Sequence, residues 1–449
     1  MSMLDSPVAS ILTLGCKLNL ADSSSLSKEL SNVGYHVINT LSEADAYVVN
    51  TCSVTHVAAQ KSRRLIRSVR RLAPNALVTV TGCYPATAHS EVLDSLGADF
   101  VTGTGDKSHS ELVSFLQTNR PLRKVTELKD EIFRQTRSFI KAQEGCNDVC
   151  AFCIIPRTRG RERSRSEFLV VEDVNNAIAN DSKEVVITGT QLGAWGRDIT
   201  PSRSPDQLIA AILEHTDIPR IRFSSLQPQD ITPEMLALWH DPRLVPHFHL
   251  ALQAGNDATL ERMRRRYNTA DFRDAVSRIR AVIPEVAITT DVIAGFPGES
   301  HEDFDESLAF CEEMSFSRIH AFPYSPRERT SAFKMSDDVS HPVRKDRMQK
   351  LLELGKRSNK KFRETSKGQT RSVLWEECRD IQGQSFYRGL SDTYVPVYMQ
   401  LGTDGEDLQN RITPVALGDL FKDGVLAKPL KGKIGSEGDL QKERVYMHD

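Results

Sequence analysis

The chain has 449 residues, enough for about three domains at roughly 150 residues each, which excludes a single small module. A hydrophobic share of 39%, a charged share of 26% and a mean hydropathy of -0.37, with no apolar run near the ~20 residues that cross a bilayer, exclude a protein of membrane-spanning helices. Charge is balanced, 58 basic residues against 60 acidic, so any affinity for nucleic acid must come from local clusters. The opening MSMLDSPVASILTLGC has no basic region followed by a long apolar stretch and cleavage site, so the cytoplasm is the expected compartment.

The first part of the chain, residues 1–125, alternates β-branched runs with longer amphipathic segments. SILTLG precedes a helical LADSSSLSKELSNVG, AYVVNT precedes a helical HVAAQKSRRLIRSVRRLA, and ALVTVTG follows. That rhythm predicts a parallel sheet covered by helices. NRPLRKVTELKDEIFRQTR, without a strand pattern, reads as a linker. Residues 136–366 restart the rhythm with six strand candidates: SFIKAQEG, EVVITGT, RIRFSSL, HFHLALQ, AITTDVIAGF and RIHAFPYS. Six successive βα units predict a partial (β/α)6 barrel with its functional groups on the loops at the strands' carboxyl ends. A long basic helix is expected from about Pro342 to Ser366. Residues 367–432 then change to five short strands without helices, RSVLWEE, SFYRGLS, TYVPVYMQ, RITPVAL and GVLAKPL, which predict a small antiparallel β-barrel. Residues 433–449, rich in glycine and charge, are expected to be disordered. The fold class is therefore α/β multidomain.

Eight cysteines are too few for a disulfide scaffold, and six of them lie at or before Cys153. Cys16, Cys52 and Cys83 each fall just beyond the carboxyl end of a predicted strand, where ligands of open α/β sheets bind, so three residues 36 and 31 positions apart can converge. Cys146, Cys150 and Cys153 instead form a tight C-x3-C-x2-C on the first loop of the predicted barrel. A closed zinc site wants four ligands, and no fourth Cys or His lies at finger-like spacing. Three cysteines on a 4Fe-4S cluster leave one iron open to a small molecule. Cys311 and Cys378 stand alone and are read as buried apolar thiols.

C-x3-C-x2-C at that position resembles the radical S-adenosylmethionine enzymes. TLGCKLN, VVNTCSVT and VTGCYP, with EGCNDVCAFCIIPRTRGRERSRS and TDVIAGFPGES, extend the likeness to the methylthiotransferase family within them. NTCSVT followed by KSRRLIR, and HAFPYSPR later, are most similar to the branch acting on N6-threonylcarbamoyladenosine at position 37 of tRNA. The isopentenyladenosine branch more often has Arg-Glu where this chain has Thr55 and His56.

The resemblance implies that Cys146, Cys150 and Cys153 hold a 4Fe-4S cluster that reduces S-adenosylmethionine to a 5'-deoxyadenosyl radical, and that Cys16, Cys52 and Cys83 hold a second 4Fe-4S cluster that delivers sulfur. It implies insertion of a methylthio group at C2 of the adenosine, with a second S-adenosylmethionine giving the methyl group. It also implies an electron donor, a sulfur donor, a tRNA anticodon loop as partner, and a C-terminal barrel similar to the TRAM RNA-binding domain. Phe152 would lie beside the adenine, Gly189 and Thr190 near the methionine amino group, and Gln253 at the end of the fourth strand. Each also reads as core, turn or strand-end residue. The chain departs from the family at Ala254, where the family has serine, at Leu226, Gln227 and Pro228 in place of Ser-Glu-Pro, and at Arg329 in place of glycine.

Three basic stretches supply candidate phosphate contacts. KSRRLIRSVRR has no acid, RTRGRERSR has five arginines against Glu162, and Arg344 to Arg371 holds eleven basic residues against three acidic, a local charge of +8. A single-stranded loop would let a target base splay out to a buried site. Two rival readings stay open at this point: a methylthiotransferase of isopentenyladenosine or of a ribosomal-protein aspartate, and a noncatalytic metal-binding protein that binds RNA.

Overall fold

The computed structural model describes residues 6–119, 136–336, 339–401 and 407–430. Its two compact units lie within Met1–Asp173, Ile187–Pro205 and Ser325–Met335, and within Val174–Val186, Asp206–Tyr324 and Ser336–Asp449. Most of the expected linker and the whole of 433–449 fall outside the described residues.

In the first unit, β1 (Val8–Thr13), β2 (His36–Ile38), β3 (Ala46–Thr51), β4 (Leu77–Gly82) and β5 (Phe100–Val101) form a parallel sheet in the order β2-β1-β3-β4-β5. Side chains alternate faces along a strand, and here both faces are covered. Val8, Leu12, Tyr47 and Val49 pack with Ile66 and Val69 of α2 (His56–Leu72) on one side. Ala9, Ile11, Ala46 and Val48 pack with Leu26 and Leu30 of α1 (Lys17–Asn32) on the other. Continuous VASILT and AYVVNT runs follow from that double burial. The sequence rhythm missed β2 and β5, since two or three residues cannot display a period. The same unit contains β6 (Arg137–Glu144), which pairs antiparallel with β7 (Arg163–Ser164).

Strands β8 (Glu184–Gly189), β9 (Arg220–Phe223), β10 (Ser225–Leu226), β11 (His247–Leu250), β12 (Ala287–Ala294) and β13 (Arg318–Pro323) account, with β6, for all six expected segments, RIRFSSL being split at Ser224. In the second unit β10-β11-β12-β13 run parallel. The basic helix spans His341–Thr365. After it, β14 (Thr370–Ile381), β15 (Gln384–Ser391), β16 (Pro396–Gln400), β17 (Ile412–Phe421) and β18 (Gly424–Pro429) close a barrel around Val373, Trp375, Val397, Val415 and Val425. No helix among the described residues is long and apolar enough to cross a membrane.

Three expectations need correction. The C-terminal barrel is mixed rather than antiparallel throughout, since β16 and β18 pair parallel. Cys311 is buried and its thiol pushed up to about 12 by burial, but Cys378 is exposed. It lies beyond the register shift between Trp375 and Glu377, in a stretch of β14 whose residues 378–380 all face solvent. The basic stretches are also less uniform than their composition suggests. Arg159 and Arg347 are 2% and 3% exposed, the latter bound to Glu299 at 2.6 Å. Arg371 is buried on Glu285 at 2.6 Å. Arg70 is spent on Asp99 and on the carbonyls of Gly97, Pro74 and Ala76. A guanidinium with five donors serves inside a fold as readily as on a phosphate, and composition cannot tell the two apart.

Candidate metal centre

All six cysteines of the two sets lie in the first unit. Cys146 follows β6 through Gly145, which has φ +76 and whose added Cβ would lie 1.9 Å from the Arg161 carbonyl oxygen. Only glycine fits that turn. Cys146 is buried and its amide donates to the Gly160 carbonyl at 3.1 Å, while Cys150 and Cys153 are half-buried, with the Cys153 amide donating to the Cys150 carbonyl at 3.1 Å. Burial pushes the Cys146 thiol up to about 11; the Asp148 amide opposes this, and the charges of Asp148, Cys150 and Glu162 add to the rise. An iron that takes Cys146 as a thiolate displaces its proton.

The turns that carry the spread set are packed close to one another. Cys16 is the N-cap residue of α1, Cys52 joins β3 to α2, and Cys83 follows β4. A Cβ on Gly15 would come within 3.0 Å of the Cys52 Cβ, so the turn before Cys16 is packed against Cys52. Ser62 of α2 accepts from the Cys52 amide at 3.2 Å and donates to its carbonyl at 2.9 Å, and the Ser53 hydroxyl donates to the Cys83 carbonyl at 3.0 Å. The three thiols act on one another. Burial pushes Cys83 up to about 11, the Arg159 guanidinium opposes this, and Cys16 and Cys52 add to the rise. A cavity of about 260 Å³, lined by Leu14, Gly15, Cys52, Thr55, Ala58 and Lys61 among others, opens beside them.

Behind this set lies a buried charge cluster that sequence reasoning did not find. Arg159 bonds Glu144 at 2.8 Å, Asp22 at 3.0 Å and the Asn19 side-chain oxygen at 2.7 Å. Lys141 reaches Asp22 at 3.0 Å and Asp106 at 3.1 Å. Burial alone would raise the Asp22 carboxyl, yet Lys141 and Arg159 together hold it below its ordinary value. A second device is the segment Ser325–Met335. The Ser325 hydroxyl accepts from the His56 amide at 3.2 Å, Arg327 donates to the carbonyls of Ser53 and Val54, and the Ala332 amide donates to the Ala151 carbonyl at 2.8 Å. One strap therefore touches the Cys52 loop at one end and the Cys150–Cys153 loop at the other. Lys141, Asp22 and Asn19 carried no local signal, since each has a partner more than a hundred positions away, Asp22 for Lys141 and Arg159 for Asn19.

Among the cofactor candidates, Phe152 is half-buried. Gly189 packs against Gln143, whose Cβ would lie 3.1 Å from an added Cβ there, and the Gln143 side-chain oxygen accepts from the Gln191 amide at 2.9 Å. The Thr190 hydroxyl is buried and has no hydrogen-bond partner among the described residues. Such an orphan is costly unless something binds it. In the second unit Gln253, at φ +71, is wired into the sheet: its amide donates to the Asp291 carbonyl at 2.8 Å and its carbonyl accepts from the Ile293 amide at 2.9 Å. Of the departures, Ala254 is buried, the Gln227 side chain accepts from Arg265 at 3.1 Å, and Arg329 has φ +67.

Three cysteines in each set are donors of the kind that a 4Fe-4S cluster takes as thiolates. A 4Fe-4S cluster asks for thiolates on separate irons, set apart by the cluster itself.

Residues 140–311 match the radical SAM superfamily, and residues 9–103 match the uncharacterised protein family UPF0004. The threonylcarbamoyladenosine tRNA methylthiotransferase MtaB of Bacillus subtilis is 32% identical, covering 94% of this chain and 97% of its own length. A tRNA-2-methylthio-N(6)-dimethylallyladenosine synthase of Syntrophus aciditrophicus is 32% identical over 85% of this chain and 87% of its own. Among solved structures, the radical S-adenosylmethionine methyltransferase TsrM of Kitasatospora setae superposes with a TM-score of 0.53 over 71% of this chain and 75% of that one, at 15% identity, which is a likeness of fold. This chain belongs to the methylthiotransferase family of radical S-adenosylmethionine enzymes. It is an enzyme of that kind, and membership brings a 4Fe-4S cluster and S-adenosylmethionine as cofactors.

Proposed function

We propose that this enzyme inserts a methylthio group at C2 of N6-threonylcarbamoyladenosine at position 37 of tRNA, acting in the cytoplasm with an electron donor and a sulfur donor. The observation that carries the reading is the end-to-end alignment with the Bacillus subtilis MtaB enzyme, over 94% of this chain and 97% of that one. Dimethylallyladenosine synthases align over as much as 91% of this chain but at 30–32% identity, against up to 36% for the MtaB enzymes, which leaves that rival weaker. Thr55 and His56, where the isopentenyladenosine branch more often has Arg-Glu, point the same way. Thr55 caps α2 by accepting from the Ala58 amide at 3.1 Å.

In this reading Cys146, Cys150 and Cys153 ligate the radical cluster, and Cys16, Cys52 and Cys83 ligate a second 4Fe-4S cluster. The two clusters with S-adenosylmethionine supply the radical and the sulfur. The chain's own residues do the rest. The half-buried Cys150 and Cys153 leave one side of the tight loop accessible, and the orphaned Thr190 hydroxyl is the polar group offered to S-adenosylmethionine, with Phe152 as the apolar neighbour for its adenine. Residues 1–125, 136–366 and 367–432 would be the sulfur-cluster domain, a partial (β/α)6 barrel and a TRAM-like RNA module. On α2, Lys61, Arg64, Arg67 and Arg71 are all exposed and fall at steps of three and four, one face of the helix, which suits a phosphate backbone. Nucleoside mass spectrometry of tRNA from a strain lacking the gene tests the assignment. Loss of 2-methylthio-N6-threonylcarbamoyladenosine, restored by the gene, is the expected result. Loss of the isopentenyl counterpart instead would assign the rival substrate.

A further inference from the structure

Arg159 stands six residues after Cys153, at the end of the short helix Ile155–Thr158, and its amide donates to the Ile155 carbonyl at 2.8 Å. Its backbone is therefore tied to the loop of the tight cysteine set. Its side chain, however, serves the spread set. The side chain, 1% exposed, lies within electrostatic reach of Cys83, Cys16 and Cys52 and opposes the rise that burial gives the Cys83 thiol. Through Asn19 it extends further. The Asn19 side chain accepts from Arg159 at 2.7 Å and donates to the carbonyls of Leu14 at 2.8 Å and Thr51 at 2.9 Å, two residues before Cys16 and one before Cys52. Asp22 and Glu144 fix the other side of the fork, and both are shared with Lys141, at 3.0 and 3.8 Å, so neither carboxylate is reserved to Arg159.

One buried cation thus lies near all three thiols and, through Asn19, is tied to the turns that carry Cys16 and Cys52. Asp22 and Glu144 hold the guanidinium from one side, and three ligating thiolates would meet its charge from the other. We propose that Arg159 is the positioning residue of the site formed by Cys16, Cys52 and Cys83, its guanidinium acting as the fixed counter-charge of their thiolates and so setting the reduction potential of the cluster they hold. This rests on the assignment of a second cluster to those cysteines. A positive charge next to a cluster favours its reduced, more negative state, and outer-shell partners of metal ligands hold the ligands in place. The loop that carries one cluster's ligands thereby conditions the other cluster.

The test uses the full chain with Cys146, Cys150 and Cys153 all changed to Ala, reconstituted anaerobically with iron and sulfide, so that only the spread set can hold a cluster. About four irons per chain are expected. No iron in this folded background would overturn the second-cluster assignment, and the role of Arg159 with it. In the same background Arg159→Gln should lower the midpoint potential in a dithionite titration followed by electron paramagnetic resonance, and should weaken iron retention against a chelator by about 10–100-fold. Arg159→Lys, which keeps the charge and loses the fork, should recover the potential more fully than the retention. A purely structural arginine would not divide the two readouts in this way. Should Arg159→Gln fail to fold, the combination with Lys141→Gln, Asp22→Asn and Glu144→Gln removes the clustered buried charges together and serves in its place. A folded variant of either kind with four irons, unchanged potential and unchanged retention overturns the proposal.

Discussion

The two cysteine sets of the first unit are built in opposite ways. Cys146, Cys150 and Cys153 occupy one loop of eight residues whose shape is fixed locally, by the turn at Gly145 and the amide contacts of Cys146 and Cys153. Cys16, Cys52 and Cys83 come from the ends of three strands and meet only because β1, β3 and β4 are neighbours in one parallel sheet. A loop site is a property of a short sequence. A strand-end site is a property of a fold, and it needs tertiary supports such as Ser62, Asn19 and Arg159 to hold its turns together.

The largest expected effect separates the sets chemically. Cys150→Ala removes a ligand from the loop set and should cut 5'-deoxyadenosine formation from S-adenosylmethionine by at least about 100-fold, the upper end of what losing even an outer-shell support costs. Retention of the wild-type rate would remove that loop from the radical chemistry. Changing Cys16, Cys52 and Cys83 together to Ala should behave differently: iron falls from about eight per chain to about four, deoxyadenosine formation continues, and no methylthiolated tRNA is made. Circular dichroism must first show a folded chain. Eight irons or continued sulfur delivery in that variant would mean that the spread set ligates nothing.

The same contrast explains what was legible in the sequence. C-x3-C-x2-C could be read without any fold, and the spread set could be placed once the strand rhythm was seen, because a residue after a strand's end has a known position in a parallel sheet. The supports could not be read. Asn19 and Asp22 lie within a helical pattern and Lys141 within a strand pattern, where a polar residue normally signals a solvent face, and nothing local says that Asp22 meets Arg159 at 3.0 Å. RTRGR looked like a phosphate patch and its middle arginine is interior. Cys378 failed for a related reason, since beyond its register shift β14 turns residues 378–380 to solvent before Ile381 is buried again.

The exposed remainder of the basic stretches gives the next effect. Changing Lys61, Arg64, Arg67 and Arg71 of α2 together to Gln should weaken tRNA binding and flatten the plot of log affinity against log salt by about 3 if all four touch phosphates, at ~0.7–0.9 each. An unchanged slope would place the RNA elsewhere. A smaller effect concerns the supports. The folded carboxyl of Asp22 lies below its ordinary value of 3.8, so the stability it contributes is complete above that pH and is lost as pH falls through the folded value. Asp22→Asn should therefore cost on the order of 3 kcal/mol near neutrality, the low end for breaking a buried pair, and should show a flatter loss of stability on acidification. Equal acid sensitivity of the two proteins, measured by denaturant melts from pH 7 down to about pH 3, a unit below the ordinary carboxylate range, would rule out Asp22 as the group responsible.

The smallest expected effect is a gain, and it falls on the strap that touches both cysteine loops. Arg329 occupies the left-handed region at φ +67, a conformation that glycine adopts without strain. An L side chain there crowds its own carbonyl at a cost of about 1–2 kcal/mol, whereas glycine is unstrained in the fold but loses more freedom on folding, by about 0.5–1 kcal/mol. The strain outweighs the entropy by a small margin, so Arg329→Gly should stabilise the chain by up to about 1 kcal/mol, a rise of roughly 2–4 °C in melting temperature for a unit of this size. Arg329 is exposed and holds none of the strap's contacts to His56, Val54 or Ala151, which come from Ser325, Arg327 and Ala332. Cleavage of S-adenosylmethionine should accordingly be unchanged. A drop in stability would mean that the arginine side chain makes a contact worth more than its backbone strain. A drop in activity at unchanged stability would instead identify Arg329 as a residue that meets the substrate, and the strap as more than a tether between two loops.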